Sequence, residues 1–359
     1  MIKYLIVSLF ITIGIYFSVY FSSCSCNHSF DPHEDSLTAI IQGNRKLMDL
    51  SVQISDNPNN ADLYFQRSKV FMQIDSIRFA YDDIEKAIDI DSTNVKYHFL
   101  LTDIFLQGSY VEGAIGELQT IIKLQSDNLI ARAKLAKVYL FVKDHQSSLA
   151  QIQEILKTNE NNSDAYFLMG MNYKELKDTT RAIAAYQKCV QYKQDFYDAF
   201  MQLGLLYSAQ NKNLAPSYFD NAIRLDSSKS EAWYAKAKYY QDQAEDAYRM
   251  KNNLEAKMNY EVAKKTYRQL IVKNPQYEFA YFNLGFIYLQ QDSIDKALRH
   301  FNLATKISPQ YAEAYYYKGL CELVNGQKDQ AGVDFQQTLN LKPDYEAAQN
   351  ELNKLNGNK

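Results

Sequence analysis

Between Ala61 and Tyr345 the apolar positions recur on two scales. Locally they fall at i, i+4 and i+7, the spacing of one helical face. Over longer stretches the whole pattern returns every 34 residues, best seen in EFAYFNLGFIYLQQDSIDKALRHFNLATKISPQY followed by AEAYYYKGLCELVNGQKDQAGVDFQQTLNLKPDY. In the first of these, Tyr281, Gly285 and Tyr288 form one stripe, and Ala297, Phe301 and Ala304 a second. Two stripes per copy predict two helices. Small residues at Gly285 and Ala297 let those helices approach closely, and large neighbours fill the gaps. The same frame gives Gly170, Tyr173, Ala182 and Tyr186, then Gly204, Tyr207, Ala215 and Phe219. Pro275, Pro309 and Pro343 follow second helices, where a helix cannot continue, and Pro58 stands before the first copy. A period of this length means stacked helical units sharing a core that runs along the array, not one globular core.

The frame divides the chain into eight copies, 61–94, 95–128, 129–162, 163–196, 197–229, 230–277, 278–311 and 312–345. Copy five lacks one residue and carries Pro216 in the first turn of its second helix, where a missing N–H is tolerated. Copy six is longer: Trp233 and Ala263 stand 30 positions apart where other copies have 16. The added stretch, 240–259, predicts a helical hairpin about two turns, roughly 10 Å, longer than its neighbours, turning at Lys251-Asn252-Asn253. Residues 346–359 predict a closing helix and tail. Residues 36–55, with Leu37, Ile40, Ile41, Leu47 and Leu50, predict one helix capping the other end.

The first residues differ in kind. Lys3 precedes an uncharged apolar run from Tyr4 to Phe21, and Ser22-Ser23-Cys24 follows. Small residues before Cys at the end of such a run resemble a bacterial lipoprotein signal at 1–23, which implies cleavage before Cys24 and a lipid on its thiol. Phe21 stands where that signal favours an aliphatic residue, and the run approaches the length that spans a bilayer. An uncleaved anchor at 4–21 in an inner membrane, or plain secretion, are therefore the alternatives. Residues 24–35 read as a flexible tether.

The 34-residue frame resembles the tetratricopeptide repeat, over about four-fifths of the chain. Ser68, Thr102 and Ala136 stand where that family favours Gly, and Ser148 where it favours Ala, all small substitutes. The resemblance implies an all-α, right-handed superhelical solenoid of stacked antiparallel helix pairs whose concave face binds peptides or protein segments.

Composition narrows the chemistry. The net charge of −3 offers no positive field for nucleic acid. Of the five histidines, His28 and His33 precede the copies and His98, His145 and His300 lie in different ones, none with ligand spacing, and no HExxH, CxxC, phosphate loop or GxSxG occurs. No catalytic residue, metal, cofactor or small-molecule substrate is therefore expected. Asp82-Asp83 reads as a solvated face, Asp56 to Asn60 as a turn, and Cys189 and Cys321 as buried thiols.

One residue past each packing position of the first helix lie Phe65, Phe99, Ala133, Phe167, Met201, Tyr234, Phe282 and Tyr316, expected to line the concave groove. Phe286, Leu289, Leu320 and Leu323 extend the stripe in the last two copies. Four apolar ligand anchors at about 1.5–3 kcal/mol each, less an association cost of at least about 4 kcal/mol, give millimolar to micromolar affinity for a short peptide. The stripe also lacks the Lys and Asn pair with which chaperone-cofactor relatives clamp a terminal carboxylate. The expected function is a non-catalytic adaptor at a bacterial envelope membrane, gripping apolar or amphipathic segments of partner proteins. A regulatory subunit of an envelope enzyme or transport complex, or a spacer with an empty groove, are the alternatives.

Overall fold

The computed structural model describes residues 32–357. The expected signal segment 1–23, Cys24 and the tether up to residue 31 lie outside the described residues. Among the described residues there are nineteen α-helices and no strand. They form two compact units, one ending at Ser109 and one beginning at Tyr110.

The first unit holds α1 (Pro32–Gln42), α2 (Arg45–Asp56), α3 (Ala61–Gln73), α4 (Ile77–Ile90) and α5 (Val95–Gln107). The single capping helix expected at 36–55 is two helices, and residues 32–35 belong to α1 rather than to a tether. Gly43 and Asn44 make the break, because Asn44 Oδ1 accepts from Lys46 N at 3.0 Å and Leu47 N at 3.3 Å and so starts a new helix. Leu47, Leu50 and Ile54 of α2 are buried with Leu63, Phe71 and Ile84 of the first pair. A polar tie reinforces this packing. Arg67 donates to both carboxylate oxygens of Asp83 at 2.8 and 2.7 Å and to Ser51 Oγ at 3.0 Å, joining α3, α4 and α2. Asp83, expected on a solvated face, is 5% exposed. Burial raises its pKa against the lowering pull of Arg67.

The second unit continues with α6 (Val111–Leu124), α7 (Leu129–Phe141), α8 (His145–Thr158), α9 (Ser163–Glu175), α10 (Thr179–Tyr192), α11 (Tyr197–Ala209) and α12 (Ala215–Leu225). Then come α13 (Ser230–Arg249), α14 (Asn253–Lys273), α15 (Glu278–Gln290), α16 (Ile294–Ile307), α17 (Ala312–Val324), α18 (Lys328–Leu341) and α19 (Glu346–Leu355). Within this unit each helix packs on the next, so its core is a spine of pair interfaces. The second copy is divided: its first helix, α5, lies in the first unit and its second, α6, in the other.

The spine is keyed by glycine. A Cβ built on Gly170, Gly204, Gly285 or Gly319 would stand 2.5–2.8 Å from the ring of Tyr186, Phe219, Phe301 or Phe335 in the same pair. In the first and third copies, which lack that glycine, serine makes the close approach from either side. Ser68 Oγ donates to Ala80 O at 2.6 Å, and in the third copy the roles invert, Ser148 Oγ donating to Ala136 O at 2.7 Å. The turn inside each pair holds one residue in the left-handed region, including Asp75, Lys143, Lys177, Asn211, Asp292 and Gly326.

The sixth pair is elongated as its sequence predicts. α13 and α14 have 20 and 21 residues where α15 and α16 have 13 and 14. Lys251, at φ 61°, makes the turn. Ala244, Ala247, Ala256 and Tyr260 bury the added turns against each other.

Candidate functional site

The last residue of each copy is also the N-cap of the next copy's first helix. In the early copies this residue is Asn60, Asn94, Asn128 and Asn162, and each side chain accepts a backbone N–H at 2.9–3.3 Å. From copy four onward it is Phe196, Lys229, Tyr277, Tyr311 and Tyr345, none of which caps. Each lost cap costs about 1 kcal/mol. At the four aromatic positions, what replaces it is ring contact.

Those rings join the expected stripe in one continuous aromatic wall over α13, α15, α17 and the start of α19. Tyr234 lies 5.6 Å from Tyr277, Tyr277 5.8 Å from Phe279, and Phe279 5.4 Å from Tyr311. Tyr311 is 4.9 Å from Phe282, and Phe282 5.6 Å from Tyr317. Tyr317 meets Tyr316 at 5.3 Å, and Tyr316 meets Tyr345 at 5.0 Å. Burial, with neighbouring phenols and the carboxylates of Glu231, Glu278 and Glu313 as smaller causes, raises the pKa of Tyr277 and Tyr311. These phenols therefore stay protonated and able to donate.

The stripe read from the sequence is only half a surface. Phe282 rests on Phe301 at 5.6 Å and Tyr316 on Phe335 at 5.8 Å, so each ring covers the spine with one face. Phe65, Phe99, Ala133, Phe167, Tyr234, Phe282, Phe286, Leu289 and Tyr316 are all half-buried rather than sealed. Met201 is a correction: at 9% exposure it belongs to the core, packed with Phe200, Leu203 and Phe219. Leu320 and Leu323 are also less open than expected, because they pack with Leu352 and Leu355 of α19 on the terminal cluster around Phe335. Two open rings stand outside that stripe. Phe279 is 37% exposed and Phe141 77% exposed, one on the first turn and the other on the last residue of a first helix.

Phe141 marks a second feature, a pocket of about 450 Å³ among copies three to five. Phe141, Phe167, Met171 and Phe196 form its apolar lining, and Asp164 and Asp198 stand at its edge. Phe167 and Phe196 stack at 4.8 Å, so this wall repeats the motif of Tyr311 on Phe282.

One side-chain series runs in the order carboxylate, imidazole, amide, hydroxyl. Glu175 is 3.8 Å from His145 Nε2, His145 Nδ1 is 3.2 Å from Asn172 Oδ1, and Asn172 Nδ2 donates to Ser148 Oγ at 2.9 Å. It is a tie between α8 and α9, not a nucleophile. Ser148 is fully buried, and its proton is committed to Ala136 O. Cys189 and Cys321 are buried, which pushes both thiols up to about 12. Among the described residues no cluster of three metal-ligating side chains occurs, and no helix is long and apolar enough to cross a membrane.

The tetratricopeptide repeat model matches the chain twice, at residues 163–196 and 278–311. These two helix pairs are tetratricopeptide repeats. Over 72% of this chain the fold is matched by the C-terminal part of a tetratricopeptide (TPR) repeat-containing protein from Cytophaga hutchinsonii. That structure is 16% identical, with a TM-score of 0.58 over 72% of this chain and 99% of the other. A tetratricopeptide repeat protein from Parabacteroides merdae is 18% identical, with a TM-score of 0.47 over 74% of this chain and 99% of its own. No curated protein matches the chain. Tetratricopeptide repeats are protein-interaction modules, without a catalytic centre of their own.

Proposed function

We propose that the chain is a non-catalytic adaptor that holds partner proteins against its aromatic wall. The observation that carries this is the exchange of capping asparagines for Phe196, Tyr277, Tyr311 and Tyr345. A residue chosen for the helix alone would keep the cap hydrogen bond. The aromatic choice builds a surface whose faces accept apolar side chains, whose phenols donate, and whose carboxylates Glu231, Glu278 and Glu313 favour a basic residue beside the apolar anchor. The ligand that fits is an internal amphipathic segment.

The tether belongs to the same proposal. Cys24, behind the apolar run 4–21, carries lipid and holds the array at a bacterial envelope membrane, with an uncleaved span as the alternative anchor. Recovery of partners from detergent-solubilised envelopes tests the wall: Phe279→Ala with Tyr311→Ala abolishes it if the wall is the site, whereas equal recovery contradicts the reading. Incorporation of radioactive palmitate, lost in Cys24→Ala, tests the tether.

A further inference from the structure

The elongated pair ends in an apolar tip that the groove reading does not use. Tyr248 is 60% exposed, Met250 81%, Leu254 72% and Met258 62%. Tyr248 stands in the last turn of α13, Met250 in the turn between the helices, and Leu254 and Met258 lie four apart on the exposed side of α14. With α14 beginning at Asn253 and a rise of 1.5 Å per residue, Met258 sits about 8 Å from the end of the hairpin. All four apolar groups therefore lie within the roughly 5–10 Å that an interfacial helix sinks into the headgroup and acyl boundary.

The charges around the tip are sorted. Arg249 is held by Asp246, Lys264 by Glu261 at 2.6 Å, and Glu255 accepts from Asn252 at 2.7 Å. Lys251 and Lys257 are exposed and have no ion pair among the described residues, and exposed Glu255, bonded only to the neutral Asn252 amide, is the carboxylate between them in sequence. A chain whose net charge is −3 thus presents two unpaired cations against one unpaired carboxylate where its apolar groups protrude.

We propose that this tip is a membrane-contact device that inserts Tyr248, Met250, Leu254 and Met258 into an anionic lipid surface, with Lys251 and Lys257 at the headgroups. The shape favours lipid over a protein. The four side chains radiate from two helices and a turn, so they present a point rather than one flat face, and a fluid closes around a point without a matching socket. Unpaired lysines are drawn to anionic headgroups. On the tether proposed above, the apolar run at 4–21, with Lys3 before it, would bring the same chain to a bilayer. Insertion of the tip then gives a second contact that limits how the array turns about its tether. This inference is independent of what the aromatic wall binds.

The test uses the full chain with Trp233→Phe, which removes its single tryptophan, and one new reporter. Met258→Trp probes the tip, and Val333→Trp, at an exposed position of α18, is the control. Each is mixed with phosphatidylcholine vesicles bearing brominated acyl chains, with and without phosphatidylglycerol. The expected result is a blue-shifted tip emission, quenched several-fold more than the control. Phosphatidylglycerol deepens the quenching, and Lys251→Glu with Lys257→Glu weakens it. Equal quenching at both positions, or failure of the chain to bind vesicles, overturns the proposal. So does a tip blue shift that needs added protein but no lipid, which would assign the tip to a protein partner or a second copy. Far-ultraviolet circular dichroism checks that each variant is folded.

Discussion

Gly170 and Tyr186 leave no space between them: a Cβ on the glycine would stand 2.6 Å from the tyrosine ring. That contact, on α9 and α10, sets how closely the pair packs. Alanine favours a helix interior by about 1 kcal/mol over glycine, yet Gly170→Ala is expected to lower stability by about 1–3 kcal/mol, because overpacking a rigid ring forces the helices apart. Gly116 of α6 is the control. Nothing lies within 4 Å of its added Cβ, so Gly116→Ala should stabilise by about 0.5–1 kcal/mol. Chemical denaturation measures both, and a neutral Gly170→Ala would count against the keyed spine.

Arg67→Ala strands a buried carboxylate. Asp83 keeps no cation in its place, and leaving one partner of a buried pair costs about 3–5 kcal/mol. Replacing both, as Arg67→Met with Asp83→Leu, should recover most of that loss. If the single variant loses less than about 1 kcal/mol, the tie between α2, α3 and α4 is decorative.

At the other end of the array, Lys318 Nζ lies 2.8 Å from Asp334 Oδ2 and 3.6 Å from Glu322 Oε1, while Glu322 Oε2 has no hydrogen-bond partner. One lysine faces two buried carboxylates. Burial first, then Asp334, raises Glu322 to about 7, against the lowering pull of Lys318. The folded state thus holds its proton where the unfolded chain has released it. Stability contributed by this group is greatest below the unfolded value near 4.5 and is lost as pH rises toward about 7. Glu322→Gln should flatten that slope and raise the melting temperature at pH 8. A slope unchanged by the substitution would place the titration elsewhere.

Tyr311→Asn separates the wall from the spine. The asparagine restores a cap worth about 1 kcal/mol, and the lost ring pairs with Phe279 and Phe282 are each worth about 0.5–1.5 kcal/mol. Thermal stability should therefore change little while partner recovery falls. A variant that keeps both stability and partner recovery would assign Tyr311 no binding role.

The helix pairs were legible because the spine repeats every 34 residues, and Gly285 with Phe301 shows the period directly. Stripe counting failed at Met201, since rotation by one residue moves a side chain only part of the way out of the core. It also followed a single stripe along each first helix and so passed over Phe141, Phe279 and the N-cap aromatics. Their signal was present: Asn60, Asn94, Asn128 and Asn162 give way to Phe196, Tyr277, Tyr311 and Tyr345 at one register. The break between α1 and α2 was likewise written in Gly43-Asn44. Asp83 was misread because its partner Arg67 lies 16 residues away on another helix.

Photo-crosslinking in intact cells tests the adaptor reading most directly. Benzoylphenylalanine at Phe279, on the wall, is compared with the same group at Val333, exposed on α18. The account predicts discrete protein adducts from position 279 that are absent from 333 and disappear with Tyr311→Asn. Adducts alike at both positions, or none from 279, would contradict it.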